Sequence, residues 1–149
     1  MPSWRSASRT GPPTPGTSEM DILSSRVLLR PADYRTTLAF YRDGLGLAIA
    51  REYLGGTVFF AGQSLIEVAA HGGSGKSTTF DGALWLQVRD ISDTAADFEL
   101  KGIPIEREPV REPWGLIEMW VRDPDGVPIV VVEVPAEHPM RRDSRWSKD

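Results

Sequence analysis

Val27-Leu28-Leu29-Arg30-Pro31-Ala32-Asp33 and Leu84-Trp85-Leu86-Gln87-Val88-Arg89-Asp90 are two versions of one pattern, 57 positions apart. Each is a short apolar run that ends in an aspartate, and each aspartate opens an amphipathic run. The first contains Leu38, Phe40 and Tyr41; the second contains Ala95, Ala96 and Phe98. Spacings of three and four put these side chains on one helical face. Glycines suited to helix C-caps close both runs, Gly44 or Gly46 in the first copy and Gly102 in the second. Strand-like segments follow: Leu47–Tyr53, Thr57–Ala61 and Ser64–Ala69, then Ile103–Glu108, Leu116–Arg122 and Ile129–Val134. Leu54-Gly55-Gly56, Ala61-Gly62-Gln63 and Asp123-Pro124-Asp125-Gly126 supply the turns. The expected organisation is βαβββ twice, an α+β fold. A half of about 55 residues has too little core to stand alone, so the two modules should pair.

Outside the repeat the sequence is restrictive in a useful way. The 149 residues allow one domain, and 40% apolar with 26% charged residues is the balance of a folded globular chain. Cysteine is absent, which removes disulfides, thiolate nucleophiles and cysteine metal sites. His71 and His138 are the only histidines. Residues 1–22 hold four prolines and few apolar side chains, so they read as a disordered leader. They lack the apolar stretch of a secretory signal, and Met20 offers an alternative start. Residues 137–149 read as a charged tail. Residues 1–20 and residues 137–149 each carry +1, so residues 21–136 hold −6 against −4 for the whole chain. That balance argues against a nucleic-acid partner. No run approaches the roughly 18 apolar residues of a membrane span, and cytoplasmic residence is the expectation.

Phe40-Tyr41-Arg42-Asp43-Gly44-Leu45-Gly46-Leu47, and Pro113-Trp114-Gly115 followed by Asp123-Pro124-Asp125-Gly126, resemble the two half-signatures of the vicinal oxygen chelate superfamily. That superfamily includes glyoxalase I, bleomycin-resistance proteins, extradiol dioxygenases, fosfomycin-resistance transferases and methylmalonyl-CoA epimerase. The resemblance covers residues 24–136. It implies two tandem βαβββ modules, about 23–72 and 80–136 within a domain of 23–136. Their sheets would form an open, curled mixed sheet around a ligand cup, commonly in a homodimer. In metal-dependent members four ligands enter the cup. The resemblance maps them to Arg26, Glu67, Ala83 and Val130, of which only Glu67 can coordinate a divalent ion. A metal needs three or four protein ligands, so these positions read as vestigial, with no cofactor expected and a divalent metal as the alternative. Glu133, three residues beyond Val130, falls on the opposite face by strand alternation.

Alternation also gives the rest of the inward set: Arg26, Leu28, Arg30, Leu65, Glu67, Ala69, Ala83, Trp85, Gln87, Val130 and Val132. The outward set, Val27, Leu29, Ile66, Val68, Leu84, Leu86, Ile129 and Val131, is wholly apolar, as a helix-packed face should be. The expected ligand-binding residues are Arg26, Leu28, Arg30, Glu67, Trp85, Gln87, Trp114, Glu118, Trp120 and Val130. An apolar wall with a few placed polar groups suits a small organic molecule, and the tryptophans suit a flat one. Arg26 replaces a metal cation beside Glu67, either to bind an anionic ligand group or as a structural ion pair. The tryptophans serve equally as core or dimer contacts. Glu67 and Glu118 are the candidate catalytic carboxylates, with Glu118 read as a solvated strand-edge group unless it is desolvated.

Ala70-His71-Gly72-Gly73-Ser74-Gly75-Lys76-Ser77 mimics a phosphate-binding loop, but no helix follows to present its amides. It reads as the inter-module linker. Neither His71 on that linker nor His138 beyond the last strand suits a nucleophilic triad. The leading expectation is a metal-free protein that binds or sequesters a small organic molecule. A lyase, isomerase or dioxygenase-type enzyme is the alternative, and an interaction module with a filled cup is the third.

Overall fold

Asp33 and Asp90 cap helices as the repeat predicts. The Asp33 Oδ1 accepts the Thr36 N–H at 3.1 Å, and the Asp90 Oδ1 accepts the Asp93 N–H at 2.9 Å. The computed structural model describes residues 20–70 and 80–141. Most of the leader, the linker with His71 and the phosphate-loop mimic from 71 onward, and the tail residues 142–149 lie outside the described residues.

The first module runs β1 (Val27–Leu29), α1 (Tyr34–Ala39), a π-helical turn (Phe40–Gly44), β2 (Ile49–Tyr53), β3 (Gly56–Ala61) and β4 (Ser64–Ala69). The second runs β5 (Leu84–Val88), α2 (Ile91–Leu100), β6 (Arg107–Arg111), β7 (Ile117–Arg122) and β8 (Pro128–Glu133). Each module forms its own four-stranded mixed sheet, ordered β1-β4-β3-β2 and β5-β8-β7-β6. The parallel pairs are β1 with β4 and β5 with β8: the helix carries the chain to the far edge of its sheet, and the antiparallel meander brings it back beside the first strand.

The repeat breaks by one residue, and the π-helix absorbs it. In the second copy Gly102 sits at φ 72°, with Ile103 N–H bonded to the Phe98 carbonyl and Gly102 N–H to that of Glu99. This is a Schellman closure, which needs a left-handed residue and so selects glycine. In the first copy the matching glycine is Gly46, at φ 69°, and the closing bond runs from Leu47 N–H back to the Tyr41 carbonyl. Tyr41 matches Phe98 across the repeat, but its helix carries one more residue before the cap. A π turn is the usual accommodation of such an insertion.

The outward apolar set behaves as predicted. Leu29, Ile66, Val68, Leu84, Ile129 and Val131 are buried in one core with Tyr41, Phe59, Phe98, Met119 and Val121, so both sheets share it on their helix side. The Asp-Pro-Asp-Gly turn of the second module fastens the first module's helix onto that core. Asp125 accepts the Ala32 N–H and the Thr37 hydroxyl, both at 3.0 Å, and Asp123 accepts the Tyr41 hydroxyl at 2.9 Å. Asp123 is also held by the Asp125 and Val127 N–H groups through its other oxygen.

Two expectations shift. The strand placed at Ile103–Glu108 is instead Arg107–Arg111, because the Ile103 N–H closes the helix and its side chain is buried in the core. Glu133 does lie on the helix side, but it is not idle: its Oε1 accepts the Ile91 N–H at 3.0 Å, at the start of α2.

Candidate functional site

The inward set forms the opposite faces of the two sheets, and strand register fixes which side chains stand side by side. In the first sheet one cross-strand row reads Leu28, Glu67, Val58, Arg51. In the second the rows are Trp85, Val130, Trp120, Arg107 and Gln87, Val132, Glu118, Val110. Directly opposed residues share a face, so these rows are the floors of two candidate half-sites.

Glu67 organises the first half-site. Its Oε2 lies 3.7 Å from Arg26 Nε, and its Oε1 accepts a hydrogen bond from the Tyr53 hydroxyl. That bond stabilises the phenol and holds its pKa above the ordinary tyrosine value. Arg51 lies over the Tyr53 ring, 5.4 Å from guanidinium carbon to ring centroid. The predicted Arg26–Glu67 pair therefore exists as part of a four-membered group, and the sequence reading missed Tyr53 and Arg51. The available signal was Gly56: it pairs with Tyr53 across the hairpin and leaves room for the ring. A Cβ there would stand 3.0 Å from the Tyr53 hydroxyl. Arg30 lies just past β1, exposed and in no ion pair among the described residues.

The second half-site is apolar with one placed carboxylate. Val130 and Val132 pack with Leu116, Val134 and Trp120 in a cluster separate from the main core. Glu118 is 7% exposed, not the solvated edge group expected, because β6 pairs over β7 and makes β7 an inner strand. Its Oε2 accepts the Trp114 indole N–H at 2.7 Å. The Trp114 carbonyl is in turn 2.9 Å from His138 Nε2, while the Met140 N–H donates to His138 Nδ1. These roles make His138 an Nε2–H tautomer, and its ring packs against Gly115, at φ 90°, where a Cβ would be 3.0 Å from it. The second histidine thus clamps the Pro-Trp-Gly turn. Arg107, also unforeseen, pairs with Glu112 beside Trp120. Trp85 and Gln87 stay exposed on β5, whose outer edge has no strand beside it among the described residues; Ala83 is exposed just before that strand.

Among the described residues the two halves are not bonded to each other within one chain. Among the described residues, no hydrogen bond or ion pair links Arg26, Glu67 or Tyr53 to Trp85, Gln87, Trp114, Glu118 or Trp120. Trp85 and Gln87 instead line a cavity of about 1030 Å³ beside β5, shared with Leu47, Gln63 and Phe98. The four positions that the resemblance maps to metal ligands are equally scattered in chemistry. Ala83 and Val130 carry no donor, Arg26 is a cation, and Glu67 is already engaged. Among the described residues no three His, Cys, Asp or Glu side chains gather into a metal-sized group. This donor set does not fit a divalent ion. No helix among the described residues is long and apolar enough to cross a membrane.

Two modules of this topology, with cup-side faces opposite a shared helix-side core, define a class of protein that sequence comparison identifies independently. The model of the Glyoxalase/Bleomycin resistance protein/Dioxygenase superfamily matches residues 24–131. The chain belongs to this superfamily. Solved structures carry the same fold. A lactoylglutathione lyase from Agrobacterium tumefaciens is 23% identical with a TM-score of 0.58, over 78% of this chain and 96% of that one. An integron cassette protein from the mobile metagenome of V. cholerae is 22% identical with a TM-score of 0.61, over 80% and 99%. A superfamily member from Alicyclobacillus acidocaldarius is 14% identical with a TM-score of 0.59, over 74% and 90%. No curated protein matches the sequence.

Proposed function

We propose that this protein is a metal-independent member of the superfamily that binds or sequesters a small organic molecule, and that two copies complete its binding sites. The observation that carries the proposal is the group at the position the resemblance maps to a metal ligand: Glu67 is paired with Arg26 and accepts the Tyr53 hydroxyl, where a chelated ion would need a free donor. A guanidinium beside an aromatic hydroxyl suits an anionic or polar ligand group. Trp85, Trp120 and Val130 suit the flat apolar body of the same ligand. Pairing of copies is supported by Leu28, Phe60, Trp85 and Trp114. All four are large apolar side chains of the cup-side faces and their rim, and each is between 43% and 58% exposed. The cysteine-free, acidic body is in keeping with residence in the cytoplasm.

Arg26→Ala tests the first half-site. The Arg26–Glu67 pair is partly exposed at 3.7 Å and is worth at most about 1 kcal/mol to folding. The melting temperature should therefore move by no more than about 4 °C. Occupancy of the copurifying molecule, read by native mass spectrometry, should fall at least about tenfold, the loss expected of one charge-assisted contact. A large thermal loss with unchanged occupancy would make the pair purely structural.

A catalytic reading as a lyase or isomerase is favoured by one observation. Glu118 is buried in an apolar cluster, and a single indole N–H fixes its orientation. A positioned, desolvated carboxylate is what metal-free proton transfer requires. Turnover lost in Glu118→Gln with ligand occupancy retained would favour that reading over sequestration.

A further inference from the structure

On the helix side of the sheets, away from both half-sites, the modules leave a second cavity of about 840 Å³. It opens between the π-helical turn and the end of α2. Ala39, Phe40, Ile103, Pro104 and Pro124 give it mainly apolar walls. The volume lies within the range of small-molecule pockets. None of Arg26, Glu67, Trp85, Trp114, Glu118 or Trp120 lines it.

Its charged residues are unequal. Lys101 pairs with Asp97 at 2.9 Å and donates to the Gly44 carbonyl at 3.1 Å across the opening. Arg122 pairs with Glu106 at 2.9 Å and donates to the Gly126 carbonyl at 2.8 Å. Both cations are thus engaged. Asp43 is answered by Arg42. Asp123 is different: it lines the cavity, is 5% exposed, and accepts three hydrogen bonds, yet no cation among the described residues pairs with it. A buried carboxylate without a countercharge raises the affinity of its surroundings for a positive group. Burial also pushes its pKa up, as that imbalance requires. The Oδ2 atom accepts only the Tyr41 hydroxyl, which leaves acceptor capacity for one more donor.

We propose that this inter-module cavity, with Asp123 beside apolar walls, is a binding site for an organic cation carrying a flat apolar body. The ligand's amine takes the place of the missing countercharge, and its body lies against Phe40 and the two prolines. Because both modules supply walls, the ligand would also brace their junction.

The probe is 1-naphthylmethylammonium, with 1-naphthalenemethanol and 1-naphthoate as neutral and anionic controls. Binding to the full chain is followed through the Ile103 δ1-methyl resonance. The cation should bind at least tenfold more tightly than either control and shift that resonance. Ala39→Trp, which fills the cavity, should weaken cation binding at least tenfold with unchanged far-UV circular dichroism; Thr36→Trp serves if the first variant fails to fold. Asp123→Asn keeps an acceptor for both backbone N–H groups and should reduce the cation's affinity to that of the alcohol. Equal binding of alcohol and cation overturns the proposal. So does cation binding that survives the filling variants, cation preference that survives Asp123→Asn, or no binding at millimolar concentration.

Discussion

Asp123→Ala is expected to lower the melting temperature by about 10 °C or more. The substitution strands the Tyr41 hydroxyl and the Asp125 and Val127 N–H groups, all of which now end on this carboxylate. Each buried donor left without a partner costs about 1–3 kcal/mol, and a domain of this size loses several degrees per kcal/mol. It also cuts one of the few polar ties between the second module's turn and the first module's helix. Tyr41→Phe removes one of those bonds only and should cost about 1–2 kcal/mol. Thermal or denaturant unfolding of the two variants checks the order. An Asp123→Ala protein melting within about 2 °C of wild type would deny the turn its fastening role.

The same carboxylate sets a pH dependence with a definite sign. Desolvation raises the folded-state pKa of Asp123 above its unfolded value. The folded state therefore holds a proton that the unfolded chain has already released. The contribution is fully present below the unfolded pKa and is lost as pH rises from there through the raised folded pKa. Asp123→Asn has no such proton, so its stability should decline less over that window. An identical pH slope in wild type and Asp123→Asn would contradict the assignment.

Trp85→Glu is expected to turn a dimer into a monomer. Trp85 is 46% exposed on β5, at the open edge of the second sheet, and Leu28 is its counterpart at the open edge of the first. Tryptophan at the centre of an interface contributes about 2 kcal/mol or more, and a buried charge in its place costs further. The dissociation constant of the dimer should rise at least about thirtyfold, visible by analytical ultracentrifugation at micromolar concentration. Leu54→Glu is the control. Leu54 is fully exposed at the β2–β3 turn, and its replacement should leave the mass unchanged. If Trp85→Glu stays dimeric, the two half-sites are not joined across β5.

The module plan was legible in the sequence because its signals are local. Asp33 and Asp90 cap their own helices, Gly46 and Gly102 close them, and period-two alternation separated the shared core from the cup-side faces. What escaped depends on contacts between distant residues. Nothing near Asp125 in sequence announces Ala32 or Thr37 as its partners, and the Tyr41–Asp123 bond spans both modules. Glu118 was misjudged because its burial comes from β6, whose start lies later than the apolar residues Ile103 and Ile105 suggest. The π turn was visible only as an ambiguity between Gly44 and Gly46. At the site, Arg26 and Glu67 could be paired from their positions, whereas Tyr53 joined them only through the hairpin register around Gly56.

The central claim is that an arginine–carboxylate–tyrosine group has replaced a metal in a ligand-binding cup. Native mass spectrometry of the freshly purified full-length protein, combined with elemental analysis of the same sample, tests it most directly. The prediction is a dimer carrying an organic adduct, lost in Arg26→Ala, with iron, zinc, nickel and manganese all far below one per chain. A stoichiometric transition metal that survives dialysis and is released by Glu67→Ala would contradict it.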